Sequence, residues 1–318
     1  MKKVLVTGAT GFIGKALVNE LLLHDFGVIV STRKKASLIS TDVEQIEVGS
    51  LLPTTNWSQA LKNVGVVIHL AGHVHKMPGS SLDSREDFNI INTLSTLNLV
   101  RQSIDAKVKR FIFISTIGVN GIENSSPFVE TDLVNPQSNY AKSKYKAEQG
   151  LLDLAAKTTM DTVIVRPPIV YGPKVKANFA LLLKWEYKHV PLPFGWVNNQ
   201  RSLIALDNLV SFIMCCIDHP KAINELFLIS DNEDVSTSEL LQKVSKAFGQ
   251  KDLLIPIPVS WMRFAAKLVG KSDVANRLLG SLRVDSSKAR KLLGWKPVIT
   301  MDEQLQKTVD EYLNEKTV

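Results

Sequence analysis

The run Lys3-Val4-Leu5-Val6-Thr7 passes directly into Gly8-Ala9-Thr10-Gly11-Phe12-Ile13-Gly14, and this junction constrains the chain more than any other segment. The first run reads as a buried strand, and the stretch from Phe12 to Leu23 repeats apolar residues at helical spacing. Glycines between a strand and a helix let the backbone approach a ligand closely. They also leave the first N–H groups of the helix bare at the positive end of its dipole, which is what a dinucleotide diphosphate requires. Gly8, Gly11, Phe12, Ile13 and Gly14 are therefore candidate cofactor-binding residues.

Further short β-branched runs at residues 28–31, 46–48, 66–70, 111–115 and 163–165 read as parallel strands buried on both faces. Helical stretches at 87–104 and 138–157 fall between them. The alternation predicts an α/β fold, a Rossmann-type doubly wound parallel sheet. After Gly172-Pro173 the rhythm changes to helices and scattered short strands, with Pro191, Pro193, Pro256 and Pro258 in the loops. The expected organisation is a nucleotide-binding domain over 1–170 and a smaller, discontinuous substrate domain over 171–318, some of whose segments return to the first sheet.

Tyr140 and Lys144 stand four residues apart in the second helical stretch, so they share a face. A phenol with a pKa of about 10 carries protons poorly at neutral pH. A neighbouring ammonium favours the phenolate, and so does the positive charge of an oxidised nicotinamide. Tyr140 could then take a proton from a carbinol as hydride leaves, or return it in reduction. Ser115 and Thr116 close the run 110–114 and put hydroxyls at the C-terminal end of a strand, the edge where open parallel sheets bind ligands.

Net charge is +7 without long Lys/Arg runs, which suits an anionic small substrate and gives no footprint for nucleic acid. Cys215 and Cys216 are adjacent, so a bond between them would be badly strained, and reduced buried thiols in a cytoplasmic protein are expected. His73 and His75 follow the strand at 66–70 and point towards the site; one could touch a substrate, though packing is the simpler reading. No third ligand at fitting spacing supports a metal. No targeting segment, membrane span or stable membrane insertion is expected. Residues 261–269 form an amphipathic helix that could touch a membrane and is expected to pack on the second domain instead.

Taken together, the Gly8–Gly14 turn, His69-Leu70-Ala71-Gly72, Asn92 ahead of Leu97-Asn98-Leu99, residues 111–116, Tyr140/Lys144 and the run 166–173 resemble an extended short-chain dehydrogenase/reductase of the nucleotide-sugar epimerase/dehydratase kind. The resemblance covers nearly the whole chain. It implies a catalytic triad of Thr116, Tyr140 and Lys144, with Leu70, Ala71 and Gly72 along the cofactor and Ser115 beside the nicotinamide. It further implies that Asn178 and Arg201, with Thr116, bind substrate, Arg201 holding the diphosphate of a UDP-sugar. Relatives that dimerise do so through two helices per subunit; here 87–104 and 138–157 would be that pair in a homodimer.

Cofactor and reaction type follow from departures. The strand at 27–31 leads to Thr32, Arg33, Lys34 and Lys35, where an NAD-selecting site carries an acid, so NADP(H) is preferred and NAD(H) stays open. Gly49-Ser50-Leu51 lacks the Asp with which the family often contacts adenine. Ile117 and Gly118 replace the Asp-Glu pair that 4,6-dehydratases need, which disfavours dehydration. What remains is chemistry at carbon 4 of a UDP-sugar, either a UDP-4-keto-hexosamine 4-reductase or a UDP-hexose 4-epimerase of surface-polysaccharide synthesis, with Arg33 and the missing acid leaning towards the reductase. A reductase of non-sugar carbonyls and a non-catalytic cofactor-sensing protein are the alternatives. Arg201 argues against the first, and the intact Tyr140/Lys144 pair against the second.

Overall fold

A computed structural model describes residues 1–34, 42–74, 85–270 and 272–317, so Lys35 and His75 lie outside the described residues. Strand β1 (Lys3–Thr7) enters the glycine turn, and α1 (Phe12–Leu23) leaves it. Strands β2 (Gly27–Thr32), β3 (Glu44–Glu47) and β4 (Val66–His69) follow. The long helical stretch foreseen at 87–104 is broken into a short α2 (Arg85–Phe88), a π-helical turn over Asn89–Leu94 and α3 (Ser95–Asp105). A π-turn inserts a residue into the helical ladder and so redirects the side chains after it, a departure that recurs at functional sites.

Strand β5 (Arg110–Ile114), helix α4 (Asn139–Ala155) and strand β6 (Asp161–Arg166) complete the first half. Ser138 starts α4 by accepting a hydrogen bond from the N–H of Ala141 through its side chain, as an N-cap should. The chain then leaves the large sheet. Strands β7 (Ile169–Tyr171) and β8 (Arg201–Ala205), with α5 (Ala177–Tyr187) between them, begin a second sheet. Helix α6 (Leu206–Asp218) returns across the first sheet, and β9 (Glu225–Leu228) pairs in parallel with β6. Strand β10 (Asp234–Val235) closes the small sheet in the order β10-β8-β7. Helices α7 (Thr237–Ala247), α8 (Val259–Leu268), α9 (Ser272–Leu279), α10 (Ser287–Leu293) and α11 (Met301–Thr317) end the chain.

The large sheet has seven strands in the order β3-β2-β1-β4-β5-β6-β9, and every pair in it is parallel. Its two faces bury separate clusters. Leu17, Leu21, Phe212, Ile213 and Phe227 lie in one, where α1 and α6 pack; Trp57, Leu99, Phe111, Phe113 and Leu151 lie in the other, under α3 and α4. Covering both faces with apolar residues is why the strands read as continuous hydrophobic runs. No described helix is long and apolar enough to cross a membrane.

Candidate active site

The C-terminal ends of β1, β4 and β5 gather most of the residues singled out from the sequence. Gly8 adopts a φ of +72°, and a Cβ built there would stand 2.8 Å from the N atom of Ala71. A Cβ at Gly14 would fall 2.2 Å from the carbonyl oxygen of Gly8, and one at Gly11 would fall 3.0 Å from the same atom. Side chains at these positions would fill the turn or force it apart, so the cradle depends on their absence. Gly11 caps α1 without a side-chain hydrogen bond, and the first turn carries no acid, which leaves its N–H groups available for an anion. Phe12 and Ile13 turn partly inward onto the core beside Leu70.

Two buried hydroxyls have no hydrogen-bond partner, Thr32 Oγ1 at the end of β2 and Ser115 Oγ just beyond β5. A buried hydroxyl without a partner is costly, and a polar ligand at either place would satisfy it. With the glycine cradle, these orphans fit a dinucleotide lying across the sheet edge. Residues that could hold it are Gly8, Gly11 and Gly14 at the diphosphate, Thr32 and exposed Arg33 at the far ribose, and Leu70, Ala71, Gly72 and Ser115 along its length.

Tyr140 and Lys144 project from the first turns of α4. The Lys144 ammonium is buried and lies 4.1 Å from the centroid of the Phe113 ring on β5. Burial holds its pKa down to about 7, against the opposing pull of Glu148 one turn further on. Glu148 is itself paired with buried Arg166 through bonds of 3.0 and 2.5 Å, and Arg166 also donates to Asn120 Oδ1 at 2.9 Å. Burial pushes the Tyr140 phenol up to about 12. Among the described residues no hydrogen bond joins the Tyr140 and Lys144 side chains.

Thr116 has extended backbone geometry, and its Oγ1 accepts from the N–H of Gly118 at 3.2 Å. That bond uses a lone pair and leaves the hydroxyl proton available to donate to a substrate oxygen. A Cβ at Gly118 would sit 3.5 Å from the Ala141 side chain, so the turn after Thr116 packs directly beside Tyr140.

Sequence reasoning missed how the catalytic helix is tied to the loop after β4. Asn92, in the π-turn, accepts from the N–H of His73 at 2.6 Å and donates to the His73 carbonyl and to Ser143 Oγ. Ser143 in turn donates to the carbonyl of Tyr140. The only sequence signal was Asn92 itself, a polar residue at a position that proves fully buried. His73 is buried and packs against Phe88, whose ring meets Tyr140 edge-on. His69 is locked between Thr7 Oγ1 and Thr96 Oγ1 at 2.7 and 2.8 Å. Its pKa is lowered to about 3, first by burial and then by the nearby Lys144 charge, so it stays neutral.

The second region is less closed. Asn178 is exposed in the first turn of α5, just after Ala177, whose φ of +57° is unusual for a residue with a side chain. Arg201 is half-buried and donates to the carbonyl of Gly280 at 3.0 Å. Gly280 lines a cavity of about 590 Å³ with Glu123, Trp196, Asn199, Val259 and Arg263. Trp196 was not singled out from the sequence, where nothing marks it as lining a cavity with Gly280. No group of three His, Cys, Asp or Glu side chains among the described residues could hold a metal.

The chain is similar to known proteins over nearly its whole length. A UDP-glucose 4-epimerase of Vibrio cholerae is 42% identical over 98% of this chain and 96% of its own. An Escherichia coli O157:H7 N-acetyl-alpha-D-glucosaminyl-diphospho-ditrans,octacis-undecaprenol 4-epimerase is 27% identical over 81% of this chain and 77% of its own. The crystal structure of UDP-glucuronic acid 4-epimerase from Bacillus cereus, in complex with UDP-glucuronic acid and NAD, superposes with a TM-score of 0.77 at 25% identity and covers 98% of this chain and 99% of that one. Residues 4–230 match a single family description, and on that breadth of agreement the chain belongs to the NAD dependent epimerase/dehydratase family.

Proposed function

We propose that the protein is a UDP-sugar 4-epimerase in which Tyr140 moves the proton at the carbon-4 oxygen, Thr116 donates a hydrogen bond to that oxygen and Lys144 supplies positive charge beside the phenol. The observation that carries this reading is the 42% identity, over nearly the full length of both chains, to a UDP-glucose 4-epimerase. The three relatives described above differ in sugar and carrier and share inversion at carbon 4. The bound nicotinamide dinucleotide supplies a hydride acceptor that becomes the donor. The chain's own groups do the rest. The glycine turn fixes the diphosphate, Ser115 and Thr32 satisfy their hydroxyls on the ligand, and Tyr140 takes up and returns a proton without diffusing away. Arg201 anchors the UDP diphosphate from the second sheet, with Asn178 adding a neutral hydrogen bond.

A second reading is a 4-ketoreductase that prefers NADP(H). Arg33 and Lys34 favour it, both exposed immediately after β2, where the sequence carries no acid before Asp42. One experiment separates the two. The purified protein is incubated in deuterated water with UDP-glucose or UDP-N-acetylglucosamine and no added cofactor, and carbon 4 is followed by NMR. An epimerase inverts it and takes up no solvent deuterium at that carbon, since hydride returns to the sugar it left. Absence of inversion with every UDP-hexose, together with consumption of NADPH by a 4-keto-sugar, would replace the first reading with the second.

A further inference from the structure

Helix α8 has two apolar stripes, and the body of the protein covers only one. Val259, Met262 and Ala266 pack against Val197, Ala275 and Leu279. Trp261, Phe264, Ala265 and Leu268, at the i, i+3, i+4, i+7 spacing of a single helical face, point outward. Trp261 is 70% exposed, Phe264 65% and Leu268 72%, and Val269 prolongs the patch. Packing on the second domain, the expectation from sequence, thus accounts for half of the helix's apolar surface. Soluble surfaces rarely leave a contiguous row of large apolar side chains in water without a use. Lys267 stands exposed at the edge of this row, Arg263 is exposed further round the helix on the side of Val259, and no acid occurs between Leu253 and Gly270.

We propose that α8 docks the protein on the surface of an anionic lipid bilayer, with Trp261, Phe264 and Leu268 entering the headgroup region and Lys267 meeting acidic lipid. A short helix lying in the plane, aromatic on one side and basic at its edge, is the form such contacts take. Ten residues are far too few to span, so this is attachment and not insertion. A second copy of the chain fits less well. Four side chains on a helix about 15 Å long bury on the order of 400 Å² per copy, below the roughly 1,200 Å² in total that a stable dimer needs. Antiparallel pairing would also bring like charges together, whereas acidic lipid offers the opposite sign. Because Val259 and Arg263 also line the cavity bounded by Gly280, docking would hold that cavity next to the lipid surface.

The test is flotation of the full chain with vesicles of phosphatidylcholine mixed with phosphatidylglycerol, at low and at physiological salt. The wild type should bind the mixed vesicles, bind phosphatidylcholine alone weakly and lose binding as salt rises. The triple variant Trp261→Ser, Phe264→Ser, Leu268→Ser should lower partitioning on the order of a hundredfold, and Lys267→Gln by about fivefold. Trp261 emission should shift to the blue on adding vesicles, and the shift should vanish in Trp261→Phe while that variant still floats. This last pair needs no disruptive substitution, so a misfolded triple variant leaves the test intact. The proposal falls if the wild type ignores the mixed vesicles, if a folded triple variant floats equally well or if emission does not move. It also falls if ultracentrifugation finds a wild-type dimer that the triple variant converts to monomer, since a second copy would then be the occupant.

Discussion

Replacing Ser115 by alanine should move stability and ligand affinity in opposite directions. Its Oγ is buried without a partner, while its backbone N–H is well used, donating to the Val165 carbonyl at 2.7 Å. An unpaired buried hydroxyl costs roughly 1–3 kcal/mol. Alanine removes that cost and leaves the backbone bond and nearly all the packing. With a melting entropy of about 2.1 cal/mol/K per residue, a chain of 318 residues gains about 1.5–4.5 °C in Tm. The ligand-bound protein behaves differently if the hydroxyl faces a ligand. A neutral hydrogen bond lost there contributes about 0.5–1.5 kcal/mol, or roughly two- to thirteenfold in affinity. Calorimetric melting of wild type and Ser115→Ala, each alone and with saturating NADH and UDP, measures both effects. The gain should be largest without ligand and shrink or reverse with it. A lower Tm for the unliganded variant would show that the hydroxyl already has a partner. An equal gain in both states would show that it does not face a ligand.

Tyr140→Phe keeps the ring and removes the transferable proton, so steady-state turnover should fall by about 10²–10⁴-fold while cofactor binding, followed by fluorescence, survives; turnover within tenfold of wild type would remove Tyr140 from the mechanism. Arg33→Ala should weaken NADPH by roughly ten- to hundredfold and leave NADH nearly unchanged, and equal losses in a fluorescence titration would exclude Arg33 from reading a 2′-phosphate. Lys144 is held near pKa about 7, so in the unliganded protein it is mostly neutral at pH 8 and mostly charged at pH 6. Binding of anionic NADH favours the ammonium and should take up protons at pH 8, much less at pH 6 and not at all in Lys144→Met; calorimetry in buffers of different ionisation heat reads the uptake, and a pH-independent result would exclude the lysine as its source.

Much of the large sheet was legible because buried parallel strands leave continuous β-branched runs, and α1 was legible because a glycine turn and a helical repeat mark both its ends. Periodicity fails where structure departs from a regular repeat. The π-turn at Asn89–Leu94 inserts a residue into a ladder that hydropathy reads as unbroken, and it is this turn that carries Asn92. Short edge segments such as β10 are two residues long and lack any repeat to detect. The site was legible to the extent that its partners are close in sequence, as Tyr140 and Lys144 are on one helix face. Contacts across elements were not. Nothing in the sequence tells that Phe113 receives the Lys144 ammonium, that Asn92 reaches Ser143, or that burial pushes the phenol's pKa up. For α8 an amphipathic helix over 261–269 was legible, but that it carries a second, outward apolar stripe depends on what folds beside it.

The seventh strand has a consequence during synthesis. Cradle, phenol and lysine have all left the ribosome once α4 emerges, yet β6 waits for β9, whose Glu225 pairs with Val163 across 61 intervening positions. Until then the nascent sheet has an open edge at β6, and the face that Phe212, Ile213 and Phe227 will cover is bare. An open edge beside uncovered apolar surface is a template for pairing with other chains. Premature termination anywhere between residues 171 and 225 should therefore yield an aggregate and not a small cofactor-binding protein, even though such a fragment holds Tyr140, Lys144 and the whole glycine turn.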